Sequence, residues 1–129
     1  MIAIDTNVLV RLLTRDDEQQ YVSAYDLFDK QEIFIPDTVI LETEWVLRHA
    51  FEFSNQEIST ALSSVFGLPN VHVRQVDAIV CVFDWYNKGL DFADAFHLVG
   101  AQNSECIKTF DKGFVKRAAG LSACPAELI

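Results

Sequence analysis

Short runs of mainly apolar residues at 2–4, 33–35, 71–73 and 107–110 recur along the chain with helix-length segments between them. This alternation is the strongest constraint on the fold. Runs of three or four apolar residues bounded by turn formers read as strands buried on both faces. A strand, a helix and another strand in succession pair in parallel, because the return to the start of the sheet needs a crossover that the helix supplies. The expectation is an α/β fold in which a central, mainly parallel sheet of four or five short strands is covered by helices on both sides. A fifth strand is expected within 121–124, where Pro125 limits its extent.

The intervening segments carry helical signals. Tyr21, Ala24, Tyr25 and Phe28 recur at helical spacing after the polar break at Arg15, Asp16 and Asp17. Asp37 and Thr38 are placed to cap a helix running to about Ala50. Ser54 followed by Glu57 is a capping box, and Ile58, Leu62, Val65 and Phe66 share one face of the helix it opens, before Gly67 and Pro69 stop it. Val76, Ile79, Val80 and Phe83 form a further stripe that ends around Lys88 and Gly89. Asp91 opens a helix whose stripe is Phe92, Ala95, Phe96 and Val99, which leaves Asp94 off the apolar face. Residues 114–119 are also helical, ending before Gly120.

A chain of 129 residues is long enough for one continuous core and too short for two, so a single domain over 1–129 is expected. No basic leader precedes the first apolar run, and no apolar run approaches the length of a membrane span, which points to a cytoplasmic protein with no membrane contact. Cys81, Cys106 and Cys124 are odd in number and far apart. They support neither a disulfide framework nor a zinc site, and they suit a reducing cytosol as buried small side chains.

The net charge of -9 argues against a protein that grips nucleic acid by bulk attraction, since that mode needs a basic face. It also calls for a local explanation: either a solvated acidic surface or carboxylates gathered around a metal. The basic residues that remain for phosphate are Arg11 and Arg15 after the first strand, and Lys108, Lys112, Lys116 and Arg117 near the C-terminus.

In parallel α/β sheets the binding crevice lies beyond the carboxyl ends of the strands. Asp5 and Asp111 end strands, while Glu42 and Asp94 fall in early turns of helices, so all four are expected at that edge. Two carboxylates about 4 Å apart repel by roughly 4 kcal/mol at an effective dielectric of about 20. Protonation relieves this by raising pKa values, whereas a divalent cation relieves it and keeps every oxygen as a ligand. All-oxygen ligation selects magnesium or manganese. Such ions support phosphodiester hydrolysis without a protein nucleophile. The chain presents no convincing Ser, Cys or His triad, no Gly-rich phosphate loop and no Walker lysine.

Four fragments carry a resemblance: Ile2, Ala3, Ile4, Asp5, Thr6, Asn7, Val8, Leu9 at the start; Glu42 after the second strand; Phe92, Ala93, Asp94, Ala95; and Thr109, Phe110, Asp111. Together, in this order and spacing, they resemble the PIN-domain ribonucleases, most closely the VapC toxins of bacterial toxin–antitoxin pairs. The resemblance implies a three-layer α/β/α PIN fold and a magnesium- or manganese-dependent endoribonuclease that cuts RNA. It also implies inhibition by a cognate antitoxin, a homodimer, and slowed translation on release. It assigns catalysis and metal binding to Asp5, Glu42, Asp94 and Asp111, and supporting roles to Thr6 and Thr109. Arg11, Lys112 and Lys116 are the candidate substrate contacts.

Taken singly, these residues have plainer readings. Asp5 alone is a helix cap, Asp111 a turn residue and Glu42 a solvated acid near a helix start. Asp91 shares a face with Asp94, and its position suits an N-cap. His97 reads as structural, His49 and His72 lack partners at metal-ligand spacing, and Trp45, Phe51 and Phe53 read as core before they read as a dimer or antitoxin surface. Lys112 and Lys116 form by default a solvated helical face. Two other functions compete. A haloacid-dehalogenase-type phosphatase would need an acid two residues after its first aspartate, where this chain has Asn7. A catalytically silent PIN-like module would act by binding a partner, and the intact acidic set speaks against it.

Overall fold

The computed structural model describes residues 1–129. Its contacts divide into two compact units, 1–74 and 75–129. Seven helices intervene among five short strands, and every strand pairing is parallel, as the apolar pattern predicts; the strands hydrogen-bond as one sheet of three and one of two, where the pattern alone suggested one sheet.

The first unit is built on the strands β1 (Ile2–Ala3), β2 (Ile33–Phe34) and β3 (Val71–His72), which lie side by side in chain order. Between β1 and β2 run α1 (Thr6–Thr14) and α2 (Glu18–Lys30), and between β2 and β3 run α3 (Asp37–Ala50) and α4 (Asn55–Phe66). The register pairs Ile2 with Ile33 and Ala3 with Phe34. It is extended one step by the Ile4 N–H donating to the Phe34 carbonyl at 3.3 Å. Parallel pairing in this register brings the exits of β1 and β2 level, so α1 and α3 start from the same edge. Ile33, Ile35, Ile40, Leu47, Ile58 and Leu62 are fully buried in the core.

Helix starts in this unit follow the sequence closely. Asp5 caps α1 by accepting from the Val8 N–H, and Asp17 caps α2 through the Gln20 N–H. Ser54 and Glu57 complete both arms of the capping box that opens α4. The α3 start differs from expectation. Pro36 is its N-cap and offers no side-chain hydrogen bond, while Asp37 is already helical and pairs with Arg74 at 2.9 Å. A distant cation thus draws the acid away from capping. On α2, Ala24 and Phe28 are buried, but Tyr25 points outward.

The second unit opens with α5 (Val76–Asn87) and α6 (Phe92–Gly100). Phe92 is completely buried and meets the edges of Phe83, Tyr86 and Phe96 with centroids 5.5, 4.9 and 5.3 Å away. Such edge-to-face contacts add to the area that these rings remove from water. Gly89, at φ +104, takes a conformation that L side chains resist and turns the chain from one helix into the next. The expected stripe on α5 is rotated. Val76 and Val80 are 64% and 62% exposed, and the buried face is Ile79, Val82, Phe83, Trp85 and Tyr86. The larger aromatic rings win the interior because they remove more surface from water than valine does.

The strand β4 (Ile107–Thr109), the helix α7 (Lys112–Ala118) and the strand β5 (Ala126–Leu128) complete the unit as a β-α-β turn with β4 and β5 paired. The last strand lies after Pro125 rather than within 121–124. Proline has no N–H, but its carbonyl accepts from the Ile107 N–H at 2.9 Å, so Pro125 opens the strand instead of closing it. Cys124 is buried, whereas Cys81 and Cys106 are partly exposed; all three are free thiols. No helix is long and apolar enough to cross a membrane.

Truncating Phe92 to Ala removes the ring on which three others converge. The expected cost is about 3–5 kcal/mol, read as a lower urea midpoint with an unchanged slope.

Candidate functional site

In the first unit the residues at the exit of β1 and on the outer face of α3 line one cavity of about 440 Å³: Asp5, Thr6, Asn7, Thr38, Val39, Glu42 and Val46. The helix period explains the α3 contribution. Ile40 and Leu47 face the core, so Thr38, Glu42 and Val46, four residues apart, lie along another face. Thr6 is buried, and its hydroxyl donates to Glu42 Oε1 across 36 positions of sequence. That bond fixes one Glu42 oxygen, and the Asp5 cap fixes Oδ1 against the Val8 N–H at 3.2 Å. Each carboxylate keeps a second oxygen for a ligand. The sequence places Asp5, Thr6 and Glu42 at a strand edge, and the fold gathers these three around one cavity.

In the second unit Asp91 caps α6, its Oδ2 accepting from the Asp94 N–H at 3.2 Å, as its position suggests. Asp94 follows one turn on and is half-buried. Its carboxyl is pushed above the ordinary range by burial first, then by the charges of Asp91 and Asp111, with His97 and Arg117 opposing. Asp111 caps α7 through the Phe114 N–H at 3.1 Å. Its own N–H donates to Thr109 Oγ1 at 3.0 Å, so the hydroxyl at the end of β4 braces the acid that follows it.

The basic candidates divide. Arg11 is held by Asp16 at 3.0 Å and by Gln20 at 2.7 Å, which binds its guanidinium within the α1–α2 corner. Arg15 pairs with Glu18 and lies over the Tyr21 ring, and Lys108 pairs with Glu127. Lys112, Lys116 and Arg117 are exposed.

Two features escaped the sequence reading. Glu44 is only 2% exposed and forms a two-pronged pair with Arg48 one turn later. Its signal was the Glu–Arg spacing of four on the face shared by Ile40 and Leu47. Trp45, read as core, is 56% exposed and stacks on His49 with centroids 4.5 Å apart.

The donors fit a hard divalent cation in kind, since Asp5, Glu42, Asp94 and Asp111 offer carboxylate oxygen and nothing softer. No three His, Cys, Asp or Glu side chains gather closely enough to hold an ion unaided, so water or a substrate oxygen would complete any coordination shell.

A parallel α/β frame with helix-capping carboxylates at its strand exits defines a class of protein that works at the carboxyl edge of its strands. The family model described as PIN domain matches residues 2–120, and the chain belongs to that family, a family of nucleases. No curated protein matches the chain at a significant level.

Because the folded protein holds the Asp94 proton more tightly than the unfolded chain does, ionised Asp94 costs stability at neutral pH, and that cost disappears below the carboxylate range. Asp94→Asn is therefore expected to raise the Tm at pH 7 in EDTA. The gain should shrink as the pH is lowered through the carboxylate range, as followed by circular dichroism melts.

Proposed function

We propose that this protein is a magnesium- or manganese-dependent endoribonuclease and that Asp5, Glu42, Asp94 and Asp111 are its metal-binding carboxylates. The observation that carries the reading is the joint placement, within a PIN domain, of Asp5, Thr6 and Glu42 around one cavity, with the Thr6 hydroxyl bonded to Glu42. Magnesium or manganese, when bound, supplies the charge that activates a water and offsets charge developing on the phosphate. The protein groups do the positioning. Thr6 fixes the Glu42 carboxylate, the Val8 and Phe114 N–H groups fix Asp5 and Asp111, and Thr109 braces the Asp111 backbone. Residues held by buried or backbone partners need little rearrangement when substrate arrives.

The resemblance to VapC toxins supports a finer proposal. The enzyme is the toxin of a toxin–antitoxin pair, a cytoplasmic homodimer silenced by a cognate antitoxin. The single domain over 1–129 belongs to the same reading.

Purified protein is expected to cleave RNA with magnesium or manganese and to lose this activity in EDTA. Asp5→Asn should lower kcat by at least about a hundredfold while the Tm moves little, because asparagine caps a helix nearly as well as aspartate. Cleavage that persists in EDTA would overturn the metal mechanism. Expression should arrest growth, with rescue by the product of an adjacent small gene. Unimpaired growth would overturn the toxin role alone.

A further inference from the structure

Arg117 stands apart from the other basic residues of the second unit. A Cβ built on Gly113 would lie 2.9 Å from Arg117 Nη2, 3.2 Å from Nη1 and 3.2 Å from Asp111 Oδ1. The guanidinium and the Asp111 carboxylate therefore flank the same point, the bare face of Gly113, and their separation cannot exceed the sum of those distances. Nevertheless, Arg117 is absent from the ion pairs of the chain, whereas Arg11, Arg15, Arg48, Arg74 and Lys108 are each tied to a carboxylate. Arg117 also reaches electrostatically to Asp94, where its charge opposes the upward push from Asp91 and Asp111. It is a planar, always-charged fork beside Asp111, close enough to share a ligand with that carboxylate and not closed onto it. Arginine in that setting matches a phosphate with two parallel hydrogen bonds.

We propose that Arg117, through a guanidinium seated over the bare backbone of Gly113 beside Asp111, binds an RNA phosphate and positions it against Asp94 and Asp111. The proposal rests on the nuclease reading for its substrate. It assigns the principal phosphate contact of this unit to Arg117 rather than to Lys112 and Lys116, which are exposed. It also gives Gly113 a role. A methyl group there collides with the far end of the Arg117 side chain and also crowds Asp111 Oδ1 at 3.2 Å; the arginine end is the one that can swing away cheaply, so Gly113→Ala should displace the guanidinium first.

The test is fluorescence anisotropy of a labelled single-stranded RNA with manganese, in the Asp5→Asn background where cleavage is suppressed. Arg117→Ala and Gly113→Ala are expected to weaken binding about tenfold. Arg117→Ala should also lower the slope of log affinity against log salt by about 0.7, the value for one phosphate contact on a single strand. Lys88→Ala, which removes a positive charge already paired with Asp84, should leave affinity within about twofold. Manganese affinity, measured by titration calorimetry, should not fall in Arg117→Ala. Unchanged RNA binding by Arg117→Ala would overturn the proposal, as would undetectable binding by the parent or a loss equalled by Lys88→Ala. A wild-type protein that never cleaves, but binds RNA in an Arg117-dependent way, would overturn the nuclease reading and leave the phosphate contact standing.

Discussion

A carboxylate that caps a helix gives one oxygen to an orphan backbone N–H and keeps the other free, and this double use organises the molecule. Asp5, Asp91 and Asp111 all do it, through Val8, Asp94 and Phe114 respectively. The cap stabilises each helix by about 1 kcal/mol and fixes its carboxylate against rotation. It also sets each acid at a helix N-terminus, where the backbone dipole favours negative charge. An acidic chain can thus place negative groups at helix starts, two of them at strand exits, without those groups being merely tolerated there. They are part of how the helices begin.

Packing then decides which acids remain ordinary and which do not. Phe92, clasped by Phe83, Tyr86 and Phe96, sets the rotation of α6 and leaves Asp94 partly withdrawn from water beside Asp91. Glu44 shows the other resolution of the same problem. It lies on the core face of α3 and is neutralised by Arg48 one turn along, whereas Glu42, on another face of the same helix, is oriented by a hydroxyl and keeps an oxygen for a ligand. Two residues of separation on one helix produce a structural ion pair and a candidate ligand.

Much of this was legible in the sequence. Short apolar runs and period-3.6 patterns located every strand but the last, and the capping box at Ser54 and Glu57 appears with both hydrogen bonds in place. The caps at Asp5 and Asp91 were readable because aspartate before an apolar run has few other uses. The failures have common physical causes. Val76 and Val80 fit a helical stripe as well as Val82 and Trp85 do, and periodicity cannot weigh a valine against a ring. Asp37 looked like a cap because its partner, Arg74, is remote in sequence. Arg11 looked free for phosphate for the same reason, since the Asp16 pair depends on how α1 turns into α2. Local spacing reports what a residue can do, and long-range partners select among those options.

The last strand has a consequence for handling the protein. Ala126–Leu128 lie beyond residue 120, where the family match stops, yet they zip along β4, and the Ile129 N–H closes on the Thr109 carbonyl at 3.1 Å. The brace beneath Asp111 is therefore clamped by the tail of the chain. A trim made to the family boundary would work loose the very rung from which Asp111 hangs.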